Sequence, residues 1–224
     1  MKYLNLHSWE VSPEEGVQIQ LKLRNKMSLN NGFDKIERIA GADVAYLKDV
    51  AMGGVVIMEF PGLEVVEEAF SYSSIKFPYL PGLLAFREGP PLLKAFEKIK
   101  SEVDLILFDG QGMAHPRKMG IATHLGLILD KATIGCAKSK LIGQYSSPQA
   151  KKGSFELLRN EEKVLGAVVR TKDKIKPVFV SPGHRINLNT SIKIVLECAR
   201  VSRLPEPLRK AHLLVNKLRK GIQP

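Results

Sequence analysis

Asp104-Leu105-Ile106-Leu107-Phe108-Asp109-Gly110-Gln111-Gly112-Met113-Ala114-His115-Pro116-Arg117-Lys118-Met119-Gly120 begins as a short apolar run and ends that run on a carboxylate. Such a run, bounded by turn residues, reads as a buried central strand. An ionised group at the tip of a buried strand is costly unless something compensates it, and a bound metal is a common compensation. The glycines then turn the backbone tightly, and a histidine and two basic residues follow. Acid, open backbone and positive charge in that order describe a place for a metal and a phosphate.

Around this stretch the chain alternates helix and strand. Ser12-Pro13-Glu14-Glu15 starts a helix running to about Met27, with Ser12 and Glu15 as a capping box. Asn30-Asn31-Gly32 ends it. Strand-like segments follow at Ile39–Tyr46, Gly53–Phe60 and Leu63–Ile75, and Pro61-Gly62 turns between the last two, so the three form an antiparallel meander. Phe77-Pro78-Tyr79-Leu80-Pro81-Gly82 is too rich in proline for regular structure. A helix beginning at Pro90-Pro91 carries Leu92, Leu93, Phe96 and Ile99 on one face.

After Asp109 come a helix over about Lys118–Leu129, a strand over Ala132–Ala137, a polar surface excursion over Gln144–Asn160, and a strand pair at Leu165–Thr171 and Pro177–Ser181. Ile192, Val195, Leu196 and Ala199 mark another helix. A last one, after Pro205 and Pro207, turns Leu208, Ala211, Val215 and Leu218 inward. With no repeat and no dividing linker, residues 1–224 read as one mixed α/β domain, a meander followed by parallel strands flanked by helices.

The 224 residues suffice for a sizeable core, and 44% are hydrophobic. No apolar run approaches the roughly 18 residues of a membrane span. The first ten residues lack a signal-peptide core. Two cysteines, Cys136 and Cys198, provide no disulfide framework, so a reducing cytoplasm is expected. The net charge of +11 favours a polyanionic partner, nucleic acid first. Charge alone is equally compatible with a basic soluble protein.

Asp43 lies in Ala40-Gly41-Ala42-Asp43-Val44-Ala45-Tyr46, an acid in an apolar strand with small same-face neighbours, Gly41 and Ala45. A solvent-facing acid on an edge strand would read the same way. Asp109 is also compatible with a turn-forming role before Gly110. Glu88 precedes the Pro90-Pro91 helix, where a surface acid is ordinary. As a set, two strand-borne aspartates and a third acid can hold Mg²⁺, a hard ion that prefers oxygen ligands. Gly110-Gln111-Gly112 faintly resembles a nucleotide-binding turn, but Asp109 would repel a pyrophosphate.

Ala40-Gly41-Ala42-Asp43-Val44, Phe77–Pro90, Phe108–Arg117, Ile134–Ser139, Val180-Ser181-Pro182-Gly183-His184 and Arg203-Leu204-Pro205-Glu206-Pro207 together resemble endonuclease V, in family order from about Trp9 to His212. The resemblance implies a ribonuclease H-like fold. It also implies a Mg²⁺-dependent enzyme (Mn²⁺ substituting) that repairs deoxyinosine by cutting the second phosphodiester 3′ of the lesion, leaving 3′-hydroxyl and 5′-phosphate. Asp43, Glu88 and Asp109 match the metal-binding acids. Pro78, Tyr79, Leu80 and Pro81 match a wedge that fills the hole left by a flipped base. Gly82, Leu84, Gly110, Ile121, Gly135 and Leu141 match a base pocket built from main chain and aliphatic groups. There a main-chain donor to O6 would favour hypoxanthine over adenine, with Leu84 or Leu141 crowding out guanine.

Lys138 matches a lysine near the scissile phosphate. His115 and His212 match histidines near the site. For His115 the expected role is a phosphate contact or a bond to metal-bound water. For His212 a partly buried structural histidine stands as an alternative, and His184 is left unassigned. The expected partner is damaged double- or single-stranded DNA, or alternatively inosine-containing RNA. A monomer is the default. A non-catalytic binder of damaged or branched nucleic acid would have no need of three carboxylates beside a polyanion.

Overall fold

A computed structural model describes residues 1–221. The chain forms α1 (Pro13–Leu23), a 3-10 turn (Arg24–Lys26), β1 (Arg38–Leu47), β2 (Val50–Glu59), β3 (Val65–Ser74), α2 (Leu84–Lys98), β4 (Leu105–Phe108), α3 (Ile121–Leu129), β5 (Ala132–Ala137), β6 (Phe155–Asn160), β7 (Lys163–Val169), β8 (Val178–His184), α4 (Leu188–Cys198) and α5 (Glu206–Gly221). The strands make one eight-stranded sheet in the order β3-β2-β1-β4-β5-β8-β7-β6. This is the mixed α/β, ribonuclease H-like architecture that the sequence implied.

The meander is antiparallel, and β1, β4 and β5 pair in parallel through buried apolar strands, as the run at Leu105–Phe108 required. The parallel part stops there, since β8, β7 and β6 are antiparallel. Alternation along the strands divides the core into two. Ala40, Ala42, Ile106 and Phe108 pack with α2 and α3, while Ile39, Leu105 and Leu107 face α4 and α5.

Several boundaries differ from expectation. The helix expected at Pro90-Pro91 begins six residues earlier, and both prolines lie inside α2, so Glu88 sits within a helix instead of ahead of one. The prolines forgo two helical hydrogen bonds; the buried face from Ala85 to Phe96 keeps the helix in place. The helix expected from Lys118 starts at Ile121, because Lys118 has a positive φ of 58°. The polar excursion over 144–160 contains β6, an edge strand on which only Leu158 is buried, which is why its sequence looks like a loop. The first helix closes with a 3-10 turn at Lys26; its capping box is present as read, with Ser12 accepting from Glu15 N and Glu15 accepting from Ser12 N.

Two glycines let helices clasp β2 from opposite faces. A Cβ on Gly53 would lie 2.5 Å from Pro91 O in α2, and one on Gly54 would lie 2.5 Å from Val215 Cγ1 in α5. Among the described residues no helix is long and apolar enough to cross a membrane.

Ahead of α1, His7 and Trp9 lie on α2 and α3. His7 Nε2 meets His124 Nε2 at 2.7 Å, and the Trp9 and Phe86 ring centres are 6.0 Å apart. Burial holds His124 down to about 3, and it also lowers His7. Unfolded histidines titrate near 6.5, so from about pH 6.5 down to 3 the His124 ring binds more protons in the unfolded chain than in the folded one. The contribution of His124 is therefore complete above pH 6.5 and is lost as pH falls. Relative to His124→Gln, the melting temperature of the unaltered protein should fall more steeply from pH 6.5 to 4, by an amount equivalent to a few kcal/mol. His124→Gln should start lower and show a shallower slope.

Candidate active site

The last register pair between β1 and β4 is Ala42 with Phe108, so Asp43 and Asp109 follow one step beyond it on adjacent parallel strands. Parallel neighbours lie about 4.8 Å apart. Asp109 N still donates to Ala42 O at 3.3 Å, which holds the two tips together. Glu88 comes from α2. The three acids sense one another: burial and then Asp109 raise Asp43, while Glu88 is pushed up to about 8 by burial, with Asp43 and Asp109 adding to the effect.

Each acid also has a partner. His212 Nδ1 lies 2.8 Å from Asp43 Oδ2, and Lys138, just after β5, donates to Asp109 Oδ2. Tyr46 Oη donates to Glu88 Oε1 at 2.9 Å and is itself covered by Arg87, whose guanidinium lies 4.7 Å from the ring centre. The small residues beside Asp43 make this possible. A Cβ on Gly41 would sit 2.0 Å from Pro207 O, so α5 crosses β1 at backbone distance and carries His212 to the aspartate. His212 is exposed, which removes the structural alternative for it.

As oriented, no three His, Cys, Asp or Glu side chains among the described residues stand close enough together to hold a metal ion. Each carboxylate instead faces its own donor: Asp43 His212, Asp109 Lys138 and Glu88 Tyr46. In chemistry the set still fits a hard divalent cation, being three carboxylates, with the proton affinities of Asp43 and Glu88 raised by burial and by their acidic neighbours.

A cleft of about 300 Å³ opens against this centre and shares Asp109 and Lys138 with it. That volume is at the lower end of small-molecule pockets, roughly 300–1,000 Å³. Tyr79, Leu80, Pro81, Gly82, Leu84, Gly110, Ile121 and Leu141 line it. Tyr79 is 68% exposed at its mouth, and Pro78 is exposed but outside the lining.

Gly135 does not line the cleft. It is buried in β5, where a Cβ would meet Gly112 N at 2.3 Å and Gly110 O at 2.7 Å. Its part is to let the Gly110–Gly112 backbone lie directly on the sheet. His115 also differs from expectation. Both ring nitrogens are committed to main chain, Nε2 with Gly82 O at 2.9 Å and Nδ1 accepting from Arg117 N at 3.1 Å. Burial lowers it to about 4, so it is a neutral bracket for the loop that carries Tyr79, with both nitrogens already taken by main chain.

Gly82 has a positive φ of 82°. Its carbonyl also accepts from Arg117 Nη2 (2.8 Å) and Gln20 Nε2 (3.0 Å). Arg117 donates in turn to Gln20 Oε1. Sequence reasoning missed Gln20, Arg117 and Tyr46. Only Gln20 left a signal, as a polar residue on the inward face of an amphipathic helix.

Carboxylates at the tips of parallel strands beside a base-sized cleft, on a basic mixed-sheet fold, define a nuclease. The family model described as endonuclease V matches residues 21–213, and the chain belongs to that family. It is 47% identical over 214 residues to the endonuclease V of Methanothrix thermoacetophila, covering 96% of this chain and 95% of the relative. The endonuclease V structure from Bacillus subtilis superposes with a TM-score of 0.94 at 34% identity, covering 99% and 98% of the two chains. That of Ciona intestinalis, solved with a 23-mer DNA containing an inosine followed by a ribo-adenosine, gives 0.84 at 32%, covering 95% and 100%.

Gly41→Ala should force α5 off β1 and separate His212 from Asp43. Overpacking costs about 1–3 kcal/mol, and urea unfolding should show a loss of at least that size. Gly221→Ala, where a Cβ meets nothing within 4 Å, should leave stability unchanged.

Proposed function

We propose that the chain is a Mg²⁺-dependent deoxyribonuclease that recognises deoxyinosine in damaged DNA. It would hydrolyse the second phosphodiester bond 3′ of the lesion, leaving 3′-hydroxyl and 5′-phosphate. The observation that carries this reading is the sharing of Asp109 and Lys138 between the acid centre and the cleft, which joins base recognition to the cutting site. The inosine-containing DNA bound by the Ciona intestinalis relative supports it. The chain would act as a single-domain monomer in the cytoplasm.

Asp43, Glu88 and Asp109 would hold Mg²⁺, with Mn²⁺ substituting. When bound, the ion supplies a Lewis acid and a water of lowered pKa. Glu88 would serve as a ligand in its charged form, which the Tyr46 hydroxyl favours. Lys138, released from Asp109, offsets charge on the phosphate. His212 holds Asp43 in orientation. Tyr79 stacks into the gap left by the flipped base, while Gln20, His115 and Arg117 keep its loop rigid. The ribo-adenosine in the same Ciona intestinalis complex favours a second reading, in which inosine-containing RNA is the natural substrate.

Matched labelled duplexes bearing deoxyinosine or adenine, and an inosine RNA, incubated with Mg²⁺ or EDTA, test the proposal. A Mg²⁺-dependent nick one nucleotide beyond deoxyinosine, in DNA alone, is expected. Preferential RNA cutting would move the natural role to RNA, and lesion binding without a cut would leave only a binder. Glu88→Gln and Asp109→Asn should slow cleavage by at least about 100-fold and retain lesion binding. Tyr79→Ala should weaken lesion binding about tenfold, from lost stacking. Tyr46→Phe removes the bond that lowers Glu88, so the acid limb of the pH–rate profile should move to higher pH; an unmoved limb would separate Tyr46 from catalysis.

A further inference from the structure

Gln111 is 8% exposed and lies on the wall of the base cleft. Its Nε2 donates to Ser139 O at 2.9 Å. A main-chain carbonyl only accepts, so this bond decides which end of the carboxamide is nitrogen. The other end, Oε1, is buried and has no hydrogen-bond partner. A buried acceptor left unpaired costs roughly 1–3 kcal/mol, which calls for a donor that the chain does not provide.

The backbone beneath this side chain is rigid. Gln111 O accepts from Ala122 N at 3.1 Å, and Gly112 N donates to Ser181 Oγ at 2.9 Å. Gly120 and Gly135 press so close that a Cβ on either would fall within 2.6 Å of the Gln111 carbonyl carbon. The oxygen is therefore delivered to one fixed place, as a recognition group should be.

Hypoxanthine carries a single ring N–H, at N1; its O6, N3 and N7 accept. An unpaired oxygen in a cleft that takes this base can satisfy only N1–H. Adenine has a lone pair at N1, which would face the oxygen and leave both groups unsatisfied. We propose that Gln111 Oε1 accepts the N1–H of the flipped base and is a specificity-determining residue, selecting the lactam ring over the amidine ring of adenine. Guanine also carries N1–H, so its exclusion rests elsewhere in the cleft. The inference depends on the deoxyinosine reading above and deepens it.

The test is binding, by fluorescence anisotropy with Ca²⁺ in place of Mg²⁺. The oligonucleotides carry hypoxanthine, adenine, or unsubstituted purine, which lacks both N1–H and O6. The proteins are wild type, Gln111→Met, which keeps the length without an acceptor, and Gln111→Glu, which keeps an oxygen there. Gln111→Met removes the Nε2 donors together with Oε1, so Gln111→Glu, which keeps an acceptor and has no N–H, assigns the coupling to N1–H. Gln111→Met should weaken hypoxanthine binding at least about tenfold and purine binding less than about threefold, while Gln111→Glu keeps part of the preference for hypoxanthine over purine. Equal losses for both bases, or no loss, would overturn the inference and make Gln111 structural. If Gln111→Met does not fold, Gln111→Glu decides alone: retained preference supports the inference, and lost preference overturns it. If wild type does not distinguish hypoxanthine from adenine, the deoxyinosine reading itself has failed.

Discussion

Two carboxylates on neighbouring parallel strands, held at strand spacing by the register that ends at Ala42 and Phe108, are the constraint around which this molecule is built. Like charges in a half-buried place repel, and a third acid from α2 adds to the cost. The surrounding fold is arranged to meet it. Lys138 arrives from the end of β5, His212 from α5 and Tyr46 from further along β1, one partner for each acid. α5 comes close enough only because Gly41 and Gly54 leave bare backbone beneath it.

The base cleft rests on a second economy. Three donors from two segments, Gln20 of α1 and the turn bearing His115 and Arg117, converge on the Gly82 carbonyl, so the exposed Tyr79 is carried on an anchored loop. Gly135 presses the Gly110–Gly112 turn onto the sheet, and that turn links Asp109 to Gln111. The cleft wall and the carboxylate thus share one short, tightly seated turn.

Much of this was legible in the amino-acid order. The buried strand and its terminal acid, the meander, the capping box and the inward stripe of α5 follow from period and turn chemistry, and they appear where expected. Side-chain partnership was less legible. His115 reads as a site histidine because it follows a glycine turn; only the fold reveals that main chain takes both its nitrogens. The edge strand β6 was hidden because only Leu158 of its six residues is buried, which leaves no apolar alternation to detect. Tyr46 and Arg117 act through partners 42 and 35 residues away, which no local pattern encodes.

The central claim is that the three carboxylates form a divalent-cation site whose occupation displaces a proton. Calorimetric titration of Mn²⁺ into the protein at pH 7, in two buffers of different ionisation enthalpy, measures it directly. The account predicts binding with net proton release, because Glu88 is held near 8 before the ion arrives, and loss of that binding in Asp109→Asn. Binding of the same strength in Asp109→Asn, or no binding by the unaltered protein, would contradict it.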